Sequence, residues 1–390
     1  MKKALLYYSF GFSFGGGEAL PLSFVEALQK TCQLTVALDV ETNFARAVEL
    51  AGCGIDIGKL KTVQVTPPGY DIRRHGARDS LYRFRRLKDL AKDADVCIST
   101  GNIMDFGRNA HHFINMLAFG DDDFTAYARS RVFGTPQRTE GKAKRMVSDR
   151  ILRPILGMRS KGSIIRDAHE HIYPNSHFVE GLMRDYYGPF NGEVFMPPTL
   201  FEPTDADNVA RDPLKVVYIG RIVPEKRVAE IVGIVERARA ATGLDVRLSV
   251  AGRLDQTPSY GERLGKMAET RAWLELVGPK YGKDKERFLL SGSYAIHAER
   301  FEAFGISIAE YLKSGAIAIV PDAGGSQEVA DSPELTYHTD DDASAILSRL
   351  LSDSAFRARQ REHCARRATF FSREAYLKRQ QCLLERIVNT

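Results

Sequence analysis

The chain has 390 residues, 44% hydrophobic and 27% charged, with a formal net charge of +5. That length suits two to three units of about 150 residues, the composition excludes a disordered chain, and the mild charge excludes a strongly basic nucleic-acid binder. Five scattered cysteines (Cys32, Cys53, Cys97, Cys364, Cys382) without a C-x-x-C argue against zinc and fit reduced thiols in a cytoplasmic protein.

Residues 3–9 (KALLYYS) read as a buried parallel strand, followed by Phe14-Gly15-Gly16-Gly17-Glu18 and an amphipathic helix to about Lys30. The first residues lead straight into that strand, and no apolar run approaches the ~20 residues of a membrane span, so chemistry on the cytoplasmic side is expected. Glycines after a strand let the backbone approach a phosphate closely. A dinucleotide fingerprint opening at Gly15 would need Gly or Ala where Leu20 stands, so a nicotinamide oxidoreductase loses its main support.

Strands near 33–39, 60–66, 95–99, 111–119, 171–174 and 193–196 alternate with helices, which predicts a parallel sheet. His111 and His112 open the strand at 111, where an ordinary structural histidine is the better reading, and Asp121-Asp122-Asp123 reads as a helix-capping turn. Residues 142–166 carry Lys142, Lys144, Arg145, Arg150, Arg153, Arg159, Lys161 and Arg166 around apolar residues at helical spacing. Such a helix either packs its stripe with a solvated basic face or lies on an anionic membrane.

Residues 199–213, rich in Pro and Asp and without periodicity, read as an interdomain linker. The second half predicts strands near 214–220, 246–251, 293–297, 316–320 and 335–338, and a closing helix from about Ser372 to Val388. The expected division is therefore 1–198 with the helix 372–390, a linker at 199–213, and 214–371.

Three stretches of the second half carry chemistry. Val216 to Lys226 (VVYIGRIVPEK) is a strand that ends at a glycine and releases Arg221 and Lys226, two cations able to neutralise a diphosphate beyond the carboxyl end of a sheet. In residues 301–310 (FEAFGISIAE) Glu302 precedes a helix opening at Phe304-Gly305, whose leading amides favour an anion, and Glu310 follows within two turns. Such carboxylates accept hydrogen bonds from sugar or ribose hydroxyls. Asp322 to Glu328 (DAGGSQE) has the residues of a tight strand-to-helix turn. Taken singly, each has a bland reading: solvated loop charges, a favourable helix-end glutamate, a mere turn.

In this order GRIVPEK, EAFGISIAE and DAGGSQE resemble the C-terminal half of retaining glycosyltransferases of family 4, with the α/β GT-B fold of two Rossmann-like doubly wound parallel-sheet domains facing a central cleft. The GGGE opening and Ile296-His297 are most similar to Alg-type GDP-mannose-dependent mannosyltransferases. The resemblance implies that Arg221 and Lys226 contact the donor diphosphate, Glu302 the donor sugar and Glu310 the ribose. Ala303, Phe304, Gly305 and Ile306 would line the donor, with Gly15, Gly16 and Gly17 near its phosphates and His297 at the sugar or phosphate. Catalysis would fall to Glu302, Arg221 and Lys226, and Glu18, His112 and Asp121 would lie on the acceptor side.

The family uses a nucleoside-diphosphate sugar as co-substrate and needs no cofactor or metal. Its usual histidine near position 115 is missing, since Asn115 stands there. The implied partners are a GDP- or UDP-sugar and a glycan or lipid-linked acceptor, with membrane contact through residues 142–166 and no nucleic acid. A phosphorylase, an epimerase, a non-catalytic sugar-nucleotide-binding subunit and a membrane-surface adaptor stay open as alternatives.

Overall fold

The computed structural model describes residues 1–9, 16–40, 42–71, 76–117, 121–134, 155–254 and 257–389. Two compact units divide the chain, one formed by Met1–Pro198 with Leu377–Thr390 and the other by Thr199–Tyr376.

The first unit holds a six-stranded sheet of β1 (Lys3–Tyr8), β2 (Gln33–Leu38), β3 (Lys61–Gln64), β4 (Val96–Thr100), β5 (His111–Ile114) and β6 (His171–Pro174), in the order β3-β2-β1-β4-β5-β6. Every pairing is parallel. Strand β1 is central and buried at five of its six positions, which is why it reads as an unbroken apolar run rather than an alternating one. Helix Ala19–Thr31 buries Leu20, Phe24, Val25 and Leu28 at helical spacing.

The second unit repeats the plan with β7 (Asp212–Ile219), β8 (Arg247–Ala251), β9 (Leu274–Leu276), β10 (Gly292–Ile296), β11 (Ile317–Pro321) and β12 (Thr336–Tyr337), ordered β12-β11-β10-β7-β8-β9 and again parallel. In both sheets the first and fourth strands of the unit lie side by side, and the chain winds outward from that pair in opposite directions. Such a switch point leaves a crevice beyond the carboxyl ends of the two strands, where ligands of doubly wound sheets bind. In the second unit the pair is β7 and β10.

Four expectations shift. The strand expected at 111–119 stops at Ile114, and residues 193–196 form none, although Phe195 donates its N–H to the Pro174 carbonyl at 2.8 Å. Strand β9, only three residues long, carries no periodicity and was not expected. Residues 199–205 are not a free linker: Lys313 holds Thr199 at 2.9 Å and pairs with Glu202, while Glu286 accepts the Asp205 N–H at 2.8 Å, so the segment is strapped to the second unit. The closing helix runs Arg373–Asn389, and its Gln380 donates to the Ser23 hydroxyl at 3.0 Å within the first unit.

Residues 142–154 of the basic stretch lie outside the described residues. In the remainder, Arg159 turns toward Asp105, Asp167 and Glu170, and Lys161 donates to Asn102 at 2.7 Å. These two cations are used by the fold rather than offered to a membrane surface. Among the described residues no helix is long and apolar enough to cross a membrane.

Candidate active site

The loops leaving β7 and β10 meet at the switch point of the second unit. After β7 the chain passes Gly220 and Arg221, then makes a short 3-10 turn, Pro224–Lys226, whose C-terminal neighbour Arg227 takes a left-handed conformation with φ 52°. That reversal aims Lys226 inward. Its ammonium lies 2.7 Å from Glu302 Oε2 and also pairs with Glu299. His297, directly after β10, faces the same group with Nε2 3.5 Å from Glu302 Oε2. Lys226, Glu299 and Glu302 keep between 14% and 20% of their side-chain surface, so the cluster is enclosed yet reachable.

Electrostatics sorts the four groups. Burial lowers the His297 pKa to about 4, leaving a neutral imidazole whose Nε2 has no hydrogen-bond partner. Burial also opposes charge on Glu302, but Lys226, by its charge and its hydrogen bond, outweighs it and holds this carboxyl below its ordinary range. Glu299 moves the other way: burial and the neighbouring Glu302 push its pKa up against the pull of Lys226. Lys226, despite burial, is held protonated by the two carboxyls.

The loop carrying Glu302 is fixed from two sides, and the helix that follows it is tied to β7. Gly325 donates its N–H to the Glu302 carbonyl, Asp322 pairs with Arg300, and Tyr311 bonds both the N–H and the carbonyl of Ile219 at the end of β7, at 2.9 and 3.3 Å. The glycines of DAGGSQE therefore do more than turn. At Gly324, with φ +73°, a Cβ would lie 2.6 Å from the Glu302 carbonyl oxygen, so glycine lets the two loops stack.

Helix Ile306–Lys313 starts at Gly305, with φ 102° and no side-chain cap, which leaves its leading amides to an incoming anion or to solvent. Ala303 and Phe304 are buried side chains, so these residues offer a ligand only backbone. Glu310, one face of the helix further, lies apart from the Lys226 cluster and receives a 2.6 Å bond from Lys285 of helix Gly282–Ser291. Arg221 is exposed and, among the described residues, its side chain has no ion-pair partner.

In the first unit Gly15 lies outside the described residues, while Gly16 and Gly17 form a 3-10 turn with Glu18. Among the described residues nothing lies within 4 Å of a Cβ placed on Gly17. Glu18 is buried at 4% exposure. His112 is a structural histidine rather than an acceptor-side one: it has no exposed surface and spends Nε2 on Glu170 at 3.0 Å, its side chain pointing into the sheet's core. Asp121 caps helix Asp122–Phe133 by accepting from Phe124 N at 3.0 Å, and its other oxygen accepts from the Tyr187 hydroxyl at 2.6 Å. Both oxygens are thereby engaged. Among the described residues no group of three or more His, Cys, Asp or Glu side chains is arranged to hold a metal.

Glu299 and Lys285 escaped sequence reasoning. Glu299 had a faint signal, a second carboxylate in the short run between His297 and Glu302, whereas Lys285 is joined to Glu310 only through the fold.

Two parallel sheets wound in this order, with their ligand crevice beyond β7 and β10, define a GT-B glycosyltransferase fold. Residues 202–368 match the family model of Glycosyl transferases group 1. Anabaena HepE, solved in complex with UDP and glucose, superposes with a TM-score of 0.68 at 14% identity over 99% of this chain and 100% of that one. WaaG, a glycosyltransferase involved in lipopolysaccharide biosynthesis, gives 0.63 at 13% identity over 94% and 95%. A GDP-mannose-dependent alpha-mannosyltransferase of Mycobacterium tuberculosis (strain CDC 1551 / Oshkosh) is 30% identical over 114 residues, which span 29% of this chain and 27% of that relative.

Proposed function

We propose that the protein is a retaining, metal-independent glycosyltransferase of family 4 that moves a hexosyl unit from a nucleoside-diphosphate sugar to an acceptor hydroxyl. The observation that carries this reading is the enclosed Lys226–Glu302 pair, with the unpartnered His297 Nε2 beside it, at the switch point of a group 1 glycosyltransferase domain. Mannose from GDP-mannose is the favoured donor. The name of the mycobacterial relative supports it, as does the likeness of the motifs to Alg-type enzymes. A glycan or lipid-linked glycan is the acceptor, and free cysteines fit work in the cytoplasm.

In the reaction the bond between the anomeric carbon and the leaving phosphate oxygen breaks, and a bond to the acceptor oxygen forms on the same face of the sugar. The acceptor proton passes to the departing diphosphate. Charge grows on that diphosphate, so groups already aimed at it lower the barrier most. Arg221, Lys226 and the amides after Gly305 take this role. Glu302 holds the sugar hydroxyls, its ionised form being acceptor-only, and Glu310 grips the ribose diol.

Incubation with GDP-mannose, UDP-glucose and UDP-N-acetylglucosamine, followed by mass spectrometry and NMR of the products, tests the reading. Release of nucleoside diphosphate with transfer of an α-linked hexose supports it; a bound sugar nucleotide that is never turned over with any acceptor points to a binding subunit instead.

A further inference from the structure

Three charged groups crowd one small space in the Lys226 cluster, and their sum does not balance. Glu299 and Glu302 both pair with the single ammonium of Lys226. If both acids were ionised the enclosed cluster would carry a net negative charge, the wrong sign for a diphosphate. The other neighbours do not correct this. Arg221 is exposed and pairs with neither acid, and Arg227 is taken by Glu230 and Asp340. His297 is neutral, Arg300 is taken by Asp322, which also holds His338, and the buried Tyr218, Tyr260 and Tyr311 contribute no cation. Once a diphosphate draws the ammonium toward itself, two carboxyls are left side by side. Adjacent like charges of this kind do not both stay ionised, as in paired carboxylates that share one proton.

We infer that Glu299 is a positioning residue that takes up a proton when the sugar nucleotide binds, releasing Lys226 to the diphosphate while Glu302 stays ionised for the sugar. The inference rests on the donor-site reading above. The two acids are suited to divide the work in this way. The contact between the two carboxyls favours the proton on Glu299 and the charge on Glu302, which Lys226 also meets at 2.7 Å. Burial and the Glu302 charge already raise the proton affinity of Glu299, so the uptake falls near neutral pH rather than in strong acid. Protonated, Glu299 becomes a hydrogen-bond donor to its neighbour; the pair then needs no counter-ion. Donor binding is thereby linked to pH, tightening as protons become available.

The test is isothermal titration of the full chain with GDP-mannose and UDP-glucose, whose diphosphate diesters have no proton that titrates near neutrality, across about pH 6 to 9. Measurements in two buffers of different ionisation enthalpy count the protons. Wild type is expected to take up about half a proton where Glu299 titrates in the free chain and close to one about a pH unit or more above it, where affinity falls by up to about tenfold per pH unit. Glu299→Gln, which mimics the protonated acid, is expected to bind with a flat pH profile and no uptake. No uptake by wild type, or the same pH dependence in Glu299→Gln, overturns the inference while binding itself leaves the donor site standing. No binding of either probe by wild type at any pH, or unchanged affinity in Lys226→Ala, overturns the donor-site reading and the inference together.

Discussion

Gly325 donates its N–H to the Glu302 carbonyl at 2.8 Å, and a Cβ added to Gly325 would come within 2.3 Å of the Ala303 carbonyl oxygen. The third motif is thus the shelf on which the second one rests. Gly325→Ala is expected to push the Glu302 loop off this shelf and to cost about 1–3 kcal/mol of stability, the usual penalty of overpacking. Urea denaturation together with a transfer assay checks it. Wild-type stability and turnover in this variant would remove the packing role assigned to the glycines.

Glu302 and Arg221 should separate in kinetics. Glu302→Ala is expected to abolish transfer while leaving nucleotide binding largely intact, because the proposed role of the carboxylate is toward the sugar and not the diphosphate. Arg221→Ala should weaken both, with a loss of about tenfold or more in affinity, in line with a charge-assisted hydrogen bond worth about 1.5–3 kcal/mol. Steady-state rates and nucleoside diphosphate titrations read the two effects separately.

Lys285 holds Glu310 Oε1 and leaves the carboxylate oriented. Lys285→Met is expected to reduce affinity for nucleoside diphosphates by about tenfold, and to narrow the preference for ribose over 2′-deoxyribose forms. Lys285→Arg should recover much of that preference. A purely structural role predicts equal losses for both sugars, so the ratio of the two dissociation constants is the informative quantity.

In the first unit, Glu170 accepts from Ala110 N at 2.8 Å and from His112 Nε2 at 3.0 Å and pairs with Arg159. Burial disfavours its charge, but His112 and Arg159 prevail and keep its pKa below the ordinary carboxylate range. The sign follows: a depressed acid contributes stability above its unfolded value, near pH 4, and that contribution is lost as pH falls through the folded value. Glu170→Ala should destabilise by about 3–5 kcal/mol at neutral pH, as removing one partner of a buried pair does. The gap to wild type should shrink below about pH 4 in denaturant titrations.

Much of this site is legible in the sequence because its parts lie in short, rigid runs. The strand Val216 to Ile219, the glycine at its end, and the helix opening at Gly305 are set by local pattern, and resemblance orders them into one site. The switch point itself is a consequence of strand order, which alternating elements imply but do not dictate. The acceptor-side placement of His112, weighed against an ordinary structural histidine, gives way to the latter because a place at the head of a strand says nothing of which face a side chain occupies; pairing with Glu170, 58 residues away, is what buries it. Residues 199–205 misled for the opposite reason: proline-rich, aperiodic composition conceals contacts made by Lys313 and Glu286 from distant helices. Glu299 and Lys285 act through partners, and only tertiary contact reveals them.

The most direct measurement is thermal unfolding of the wild-type chain and of Lys226→Ala in the presence of GDP-mannose, UDP-glucose and their nucleoside diphosphates. At one hundred times its dissociation constant a ligand adds about 2.7 kcal/mol of stability. A sugar nucleotide that raises the wild-type midpoint by several degrees, with most of that shift lost in Lys226→Ala, is the expected outcome. A midpoint that no sugar nucleotide moves, or one moved equally in both proteins, contradicts a diphosphate site built on Lys226 and the loop of Glu302.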